Sequence, residues 1–269
     1  MREIVIVQAG GQWVWPVVKV GFKRTLRDGP NNATVVLETL SIAPAVFAVS
    51  GLLSHYECDH LIRVAHPGLA RSAVHDPSLH SGRTSSDVWI HDPEDPWLQG
   101  LRKRTASLLR SHESFLEGAV NVVRYRRGEK YDPHYDHVDS RAYEAEPLVW
   151  RDLYHKGHKN RLATVLWYLN NGTRGGETQF PRSQGLPPPA ADGGCRGLRI
   201  RPEKTNAVLF YTLTPDGQGD PYSIHGSCPV VGSEAIKVFQ NVAGLFDRIV
   251  RPRDHLPAAP PSRGGRKPI

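Results

Sequence analysis

The chain has 269 residues, 39% of them hydrophobic and 23% charged, with a formal net charge of +7, which is apolar material for one large domain or two small ones. The positive excess is scattered and partly sits in the Pro-rich stretch after Arg251, so no stripe of Lys and Arg interleaved with aromatics marks a nucleic-acid face. No run of about eighteen apolar residues exists to span a membrane, and three cysteines, Cys58, Cys195 and Cys228, are too few for a disulfide scaffold and too far apart for a zinc ribbon.

In chain order, the first segment is interrupted by Gln8, Gly10, Gly11, Gln12 and Pro16, which break any apolar run that would serve as a secretory leader. Residues 1–36 read as an N-terminal extension, residues 37–250 as the main domain, and residues 251–269 as a basic, Pro-rich, disordered tail. A helix opens after Leu53. Ser54 and Glu57 form a capping box, Cys58, Leu61, Ile62 and Ala65 share one face, and Pro67 stops the element. A second helix takes Asp95 as N-cap and Pro96 as its first residue, with Leu98, Leu101, Thr105 and Leu108 as the inner stripe.

From Val120 the apolar period shortens, and strands are expected over Val120–Tyr125, Leu162–Leu169, Leu198–Arg201, Ala207–Leu213 and Ala235–Val242. Helices followed by many short strands and Gly/Pro turns predict an α+β barrel, sandwich or jelly roll. The charged, aromatic stretch Ser140–Asn160, with Tyr143, Trp150 and Tyr154, is either a lid over a groove or a plain surface insertion.

A His and an Asp separated by one residue on a strand face the same way, so His134 and Asp136 can reach one ion. A distant His would complete a two-His, one-carboxylate set, which leaves adjacent positions on iron(II) open for cosubstrate and oxygen. About one His-x-acid triplet is expected by chance among 13 His and 27 acidic residues, and three occur, at His55, His134 and His137. His55 lies in the first turn of the amphipathic helix, and His137 with Asp139 is one step out of phase with His134.

Context separates them. Leu53-Ser-His-Tyr-Glu-Cys-Asp-His-Leu-Ile, Gly82-Arg-Thr-Ser-Ser, Val122-Val-Arg-Tyr-Arg-Arg-Gly-Glu-Lys-Tyr-Asp-Pro-His-Tyr-Asp, Arg161-Leu-Ala-Thr-Val-Leu-Trp-Tyr-Leu, Gly175-Gly-Glu-Thr-Gln-Phe-Pro and His225-Gly-Ser-Cys-Pro-Val follow one another. In this order they resemble the prolyl 4-hydroxylase family, from about Leu40 to Val242, and plant and algal members in particular. The resemblance implies a double-stranded β-helix, or jelly roll, with helices packed on one sheet. It implies Fe(2+), 2-oxoglutarate, O2 and ascorbate as cofactors and cosubstrates, and a Pro-rich or collagen-like peptide as partner, hydroxylated at the 4-position of proline. It makes His134, Asp136 and His225 the metal ligands, and Tyr125 and Thr164 contacts of 2-oxoglutarate.

A carboxylate buried in a closed barrel needs a cation. The family's Lys aligns with Ala235 here, but a displacement of two preserves the face of a strand, so Lys237 is expected to take its place; otherwise it is a solvent-facing edge Lys. The family also carries a Trp further along this strand, where Asn241 and its neighbours stand. Arg83 and Tyr131 match substrate-contact positions, and Tyr131 is also taken as catalytic; Arg83 is otherwise a surface charge. Cys195 and Cys228 occupy positions bridged in plant and algal relatives, which implies an oxidising lumen such as the endoplasmic reticulum, with reduced buried thiols as the other reading. Asn32-Ala-Thr and Asn171-Gly-Thr fit the glycosylation pattern. Two rival readings stay open: an oxygenase of another side chain or a small molecule, and a noncatalytic metal-binding jelly-roll module.

Overall fold

The computed structural model describes residues 13–27, 29–72, 82–91, 93–137, 159–172, 174–189, 194–214 and 216–245. The tail over 251–269, Asp139, and residues 140–158 with Tyr143, Trp150 and Tyr154 lie outside the described residues. In chain order the strands are β1 (Lys23–Leu26), β2 (Val35–Ser41) and β3 (Val46–Ser50); then come α1 (His55–Ala65), β4 (Ala70–Arg71), β5 (Ser86–Ile90) and α2 (Pro96–Leu108). A run of strands follows: β6 (Val120–Tyr125), β7 (Tyr131–His134), β8 (Lys159–Tyr168), β9 (Thr178–Phe180), β10 (Leu198–Ile200), β11 (Ala207–Tyr211), β12 (His225–Ser227) and β13 (Ala235–Leu245).

Both helices start as their sequences dictate. The Ser54 hydroxyl accepts from the Glu57 amide, the Glu57 carboxylate accepts from the Ser54 amide, and the Asp95 carboxylate accepts from the amides of Trp97 and Leu98. Glu57 is also buried, and Arg104 of α2 reaches across to pair with it, which ties the two helices together at a point where an unpaired carboxylate would be costly.

The strands form two antiparallel sheets, one of nine strands in the order β1-β2-β3-β11-β8-β13-β6-β5-β4, the other of four in the order β10-β9-β12-β7. Alternation along the central strands decides what each face does. Val165 and Trp167 of β8, Leu209 of β11 and Val238 of β13 pack with Leu61 of α1 and Leu101 of α2. The intervening residues, Leu166, Tyr168, Val208 and Phe210, pack with Phe180 of the small sheet. The large sheet therefore has a helix-backed face and a face turned to the small sheet, which is the jelly-roll arrangement expected. Residues ahead of β2 take part as well: Trp15 is buried and its indole donates to the Leu108 carbonyl, while β1 pairs with β2.

Candidate active site

Two of the three expected ligands come from strands of the small sheet, and the third from the exit of one of them. His225 of β12 pairs directly with His134 of β7, the last strand of the small sheet. The register then shifts, so that Ser227 faces Tyr131: two steps on β12 match three on β7. Strict alternation would turn Tyr131 and His134 to opposite faces; the extra residue brings both inward, and their rings stack at 3.8 Å. Gly226 between the inward residues allows the strands to close, since a Cβ there would lie 2.6 Å from the Tyr131 carbonyl oxygen.

Asp136 follows β7 and closes the constellation. His134 Nε2 lies 3.7 Å from Asp136 Oδ1, and His225 Nε2 lies 3.7 Å from Asp136 Oδ2. The ligand atoms of these three residues all fall within 4.8 Å of one another, and no other such group of three occurs among the described residues. Each imidazole is fixed in orientation: Nδ1 of His134 donates to the Asp132 carbonyl and Nδ1 of His225 to the Ser223 carbonyl, both at 3.0 Å. That leaves both Nε2 lone pairs aimed at the gap. Nε2 of His225 is buried and has no hydrogen-bond partner, a state that is costly unless a cation or donor occupies the gap. Burial, with His225 beside it, lowers the His134 imidazole to about 3 and keeps it neutral. Burial alone would raise Asp136, but His225, Arg161, His134 and the Thr164 hydroxyl outweigh it and bring the carboxyl to about 2. A neutral imidazole, a carboxylate and a buried imidazole with an orphaned nitrogen fit a divalent metal.

A small cavity adjoins the triad, lined by Tyr125, Tyr131, Thr178, Ser227, Lys237 and Phe239 together with His134 and His225. Lys237 is 1% exposed. Its ammonium lies 2.9 Å from the Ser227 hydroxyl and 3.3 Å from that of Thr178, over the rings of Tyr125 and Tyr168, and makes no salt bridge with a described residue. Burial drives its pKa down from 10.5 to about 7. Ala235, in the family's aligned position, is buried on the same face two residues earlier.

Arg83 bridges Tyr131 through the backbone, and its guanidinium stands 4.9 Å from the Tyr131 ring centroid, braced by Ser85 and Asp87. Cys195 and Cys228 are joined as a disulfide, while Cys58 is a buried free thiol packed in the helix-backed core. His55 starts α1 on the surface, and His137 packs against Tyr135 and Gly219. Thr164 is not part of the cavity wall: its hydroxyl lies on the Asp136 carboxylate at 2.6 Å. Thr178 and Ser227 were not anticipated as partners of Lys237; Ser227 is two residues from His225 on one strand, and that spacing alone puts it on the same face.

Residues 120–241 match the 2OG-Fe(II) oxygenase superfamily. A probable prolyl 4-hydroxylase 4 from Arabidopsis thaliana is 33% identical over 231 residues, covering 80% of this chain and 73% of that protein. A probable prolyl 4-hydroxylase 6 from the same plant is 38% identical over 208 residues, 72% of this chain and 67% of its own length. Among solved structures, the 2OG complex of a viral collagen prolyl hydroxylase from Paramecium Bursaria Chlorella virus-1 is 25% identical, with a TM-score of 0.54 over 74% of this chain and 96% of that one. With two sheets, a two-His, one-Asp cluster between them and these relatives, the chain belongs to the prolyl 4-hydroxylase family of 2-oxoglutarate and iron(II) dependent oxygenases.

Proposed function

We propose that His134, Asp136 and His225 hold iron(II), that Lys237 anchors the far carboxylate of 2-oxoglutarate, and that the reaction is 4-hydroxylation of proline in Pro-rich or collagen-like chains. The observation that carries this reading is Lys237: a buried ammonium with no counter-ion among the described residues, in a small cavity that adjoins three convergent metal-ligand atoms. A fold does not bury an unpaired cation without cost, and a dicarboxylate whose far end pairs with Lys237 would remove that cost.

Iron(II), when bound, couples the oxidative decarboxylation of 2-oxoglutarate by O2 to insertion of one oxygen atom into a substrate C–H bond, leaving succinate and carbon dioxide. This chain's side chains position and exclude. Ser227 and Thr178 keep the Lys237 ammonium in place, and the faces of Tyr125 and Tyr168 shield it from water. Phe180 and Phe210 flank His225 and keep the inner side of the site dry. Arg83 and Tyr131 form a flat cationic and aromatic surface beside His134 that suits an extended polyproline II chain. Tyr131, stacked on His134, would thereby hold the substrate proline beside the ligand cluster.

Ascorbate as reductant and the lumen of the endoplasmic reticulum as compartment belong to the same proposal, the latter supported by the Cys195–Cys228 disulfide. The test is succinate release from 2-oxoglutarate with and without a Pro-rich peptide, followed by mass spectrometry of the peptide. Peptide-stimulated turnover with a gain of one oxygen at proline, lost in His134→Ala, is expected. Turnover only with other acceptors, or metal binding without turnover, would refute the assignment.

A further inference from the structure

The wall behind Asp136 is polar and buried, and its members are connected. Thr164 Oγ1 lies 2.6 Å from Asp136 Oδ2 and 3.1 Å from Asn241 Oδ1. The Asn241 amide donates to Glu117 Oε2 at 3.0 Å, and Arg161 Nε donates to Glu117 Oε1 at 3.0 Å. Thr164 on β8 and Asn241 on β13 are direct cross-strand partners, 0% and 6% exposed. Asn241 thus enters a hydrogen-bonded chain in the part of the strand where the resemblance led us to expect a Trp.

Donor and acceptor counting sets the direction of the chain. Glu117, facing Arg161, offers only acceptors, so Asn241 turns its NH2 group to Glu117 and its carbonyl oxygen to Thr164. The single Thr164 proton then has two acceptors. The carboxylate, charged and nearer by half an ångström, takes the larger share, and Asn241 the smaller. Thr164 is β-branched and sits on a central strand, so its hydroxyl has few alternative positions.

We propose that Thr164 and Asn241 are positioning residues of the metal site: the chain Arg161–Glu117–Asn241–Thr164 holds the Asp136 carboxylate in the orientation that meets His134 and His225. This rests on the reading of those three residues as metal ligands. It also gives Thr164 a different task from the cosubstrate contact that the family resemblance implies.

The test is an anaerobic calorimetric titration of the metal-free, full-length protein with iron(II), repeated with cobalt(II). Loss of a partner behind a ligating carboxylate weakens metal binding by roughly 10- to 100-fold. Thr164→Val, which keeps the shape and removes the hydroxyl, is expected in that range, and Thr164→Ser within about threefold of wild type. Asn241→Leu, acting through Thr164, is expected to be about three- to tenfold weaker. At saturating metal, the KM for 2-oxoglutarate should stay unchanged in all three. Thermal unfolding of the metal-free variants checks that they fold, and if Thr164→Val does not, Asn241→Leu and Thr164→Ser carry the test. Unchanged metal affinity in Thr164→Val and Asn241→Leu overturns the proposal, as does an equal loss in the Val and Ser variants, which would mean packing. A raised 2-oxoglutarate KM with normal metal affinity would restore the cosubstrate role. Wild-type protein that binds neither metal would instead refute the triad reading itself.

Discussion

Lys237→Met should make the metal-free protein more stable while destroying its use for 2-oxoglutarate. The fall in the Lys237 pKa from 10.5 to about 7 corresponds to a cost of about 5 kcal/mol for keeping this ammonium charged in the fold. Methionine fills similar space without charge but gives up the contacts to Ser227 and Thr178, about 1 kcal/mol each. The net expectation is a gain of about 3 kcal/mol at pH 7. The sign of the pH dependence follows: because the folded pKa is depressed, the unfolded chain binds more protons between about 7 and 10.5. The penalty is complete below about 7 and disappears as pH rises through that window, so wild-type stability climbs there relative to Lys237→Met. In the variant, the far carboxylate of 2-oxoglutarate would be buried without a cation, at about 3 to 5 kcal/mol, or roughly two to three and a half orders of magnitude in affinity. Urea unfolding across pH and the KM for 2-oxoglutarate read the two effects. A variant less stable than wild type at pH 7 with an unchanged KM would show that Lys237 is a structural hydrogen-bond donor and nothing more.

Three further outcomes are expected. Arg83→Ala should raise the KM for a Pro-rich peptide about tenfold with kcat largely retained, because Arg83 stacks on Tyr131 and touches no metal ligand; steady-state kinetics at saturating 2-oxoglutarate decide it. Cys228→Ser should cost about 4 kcal/mol in urea unfolding, since the bridge to Cys195 spans 33 residues, and a reductant should reproduce that loss in wild type. Arg104→Met should cost about 3 kcal/mol by leaving Glu57 buried without its cation, detectable as a lowered Tm with unaltered metal affinity.

What the sequence disclosed was local or carried by motif. The capping box of Ser54 and Glu57 and the Asp95-Pro96 start depend on residues within one turn, and both helices lie where those signals put them. Strand parity carried Lys237, because a displacement of two from Ala235 leaves the side chain on the same face whatever the rest of the fold does. The strand over Val120–Tyr125 matches β6 at both ends, whereas β8 and β13 run beyond the expected limits to Lys159 and Leu245, extended by pairing with each other. The contacts of Thr164, Asn241 and Glu117 were not legible, since their partners are up to 124 positions away and depend on which strands become neighbours. Thr178 was hidden for the same reason: only the pairing of β9 with β12 brings it beside Ser227. Tyr131 and His134 differ by an odd step, and no reading of alternation would have turned both inward without the shift between β7 and β12.

That irregular pairing has a consequence for stability. The strands that carry the two histidines are only four and three residues long, and one of them lies at a sheet edge. An ion shared by His134 and His225 would act as a cross-link between them, so that metal occupancy and closure of this ladder become one equilibrium. At a hundredfold excess over its Kd, a bound ion would contribute about 2.7 kcal/mol. Chelation should therefore speed amide exchange first along this short ladder, well before the nine-stranded sheet opens.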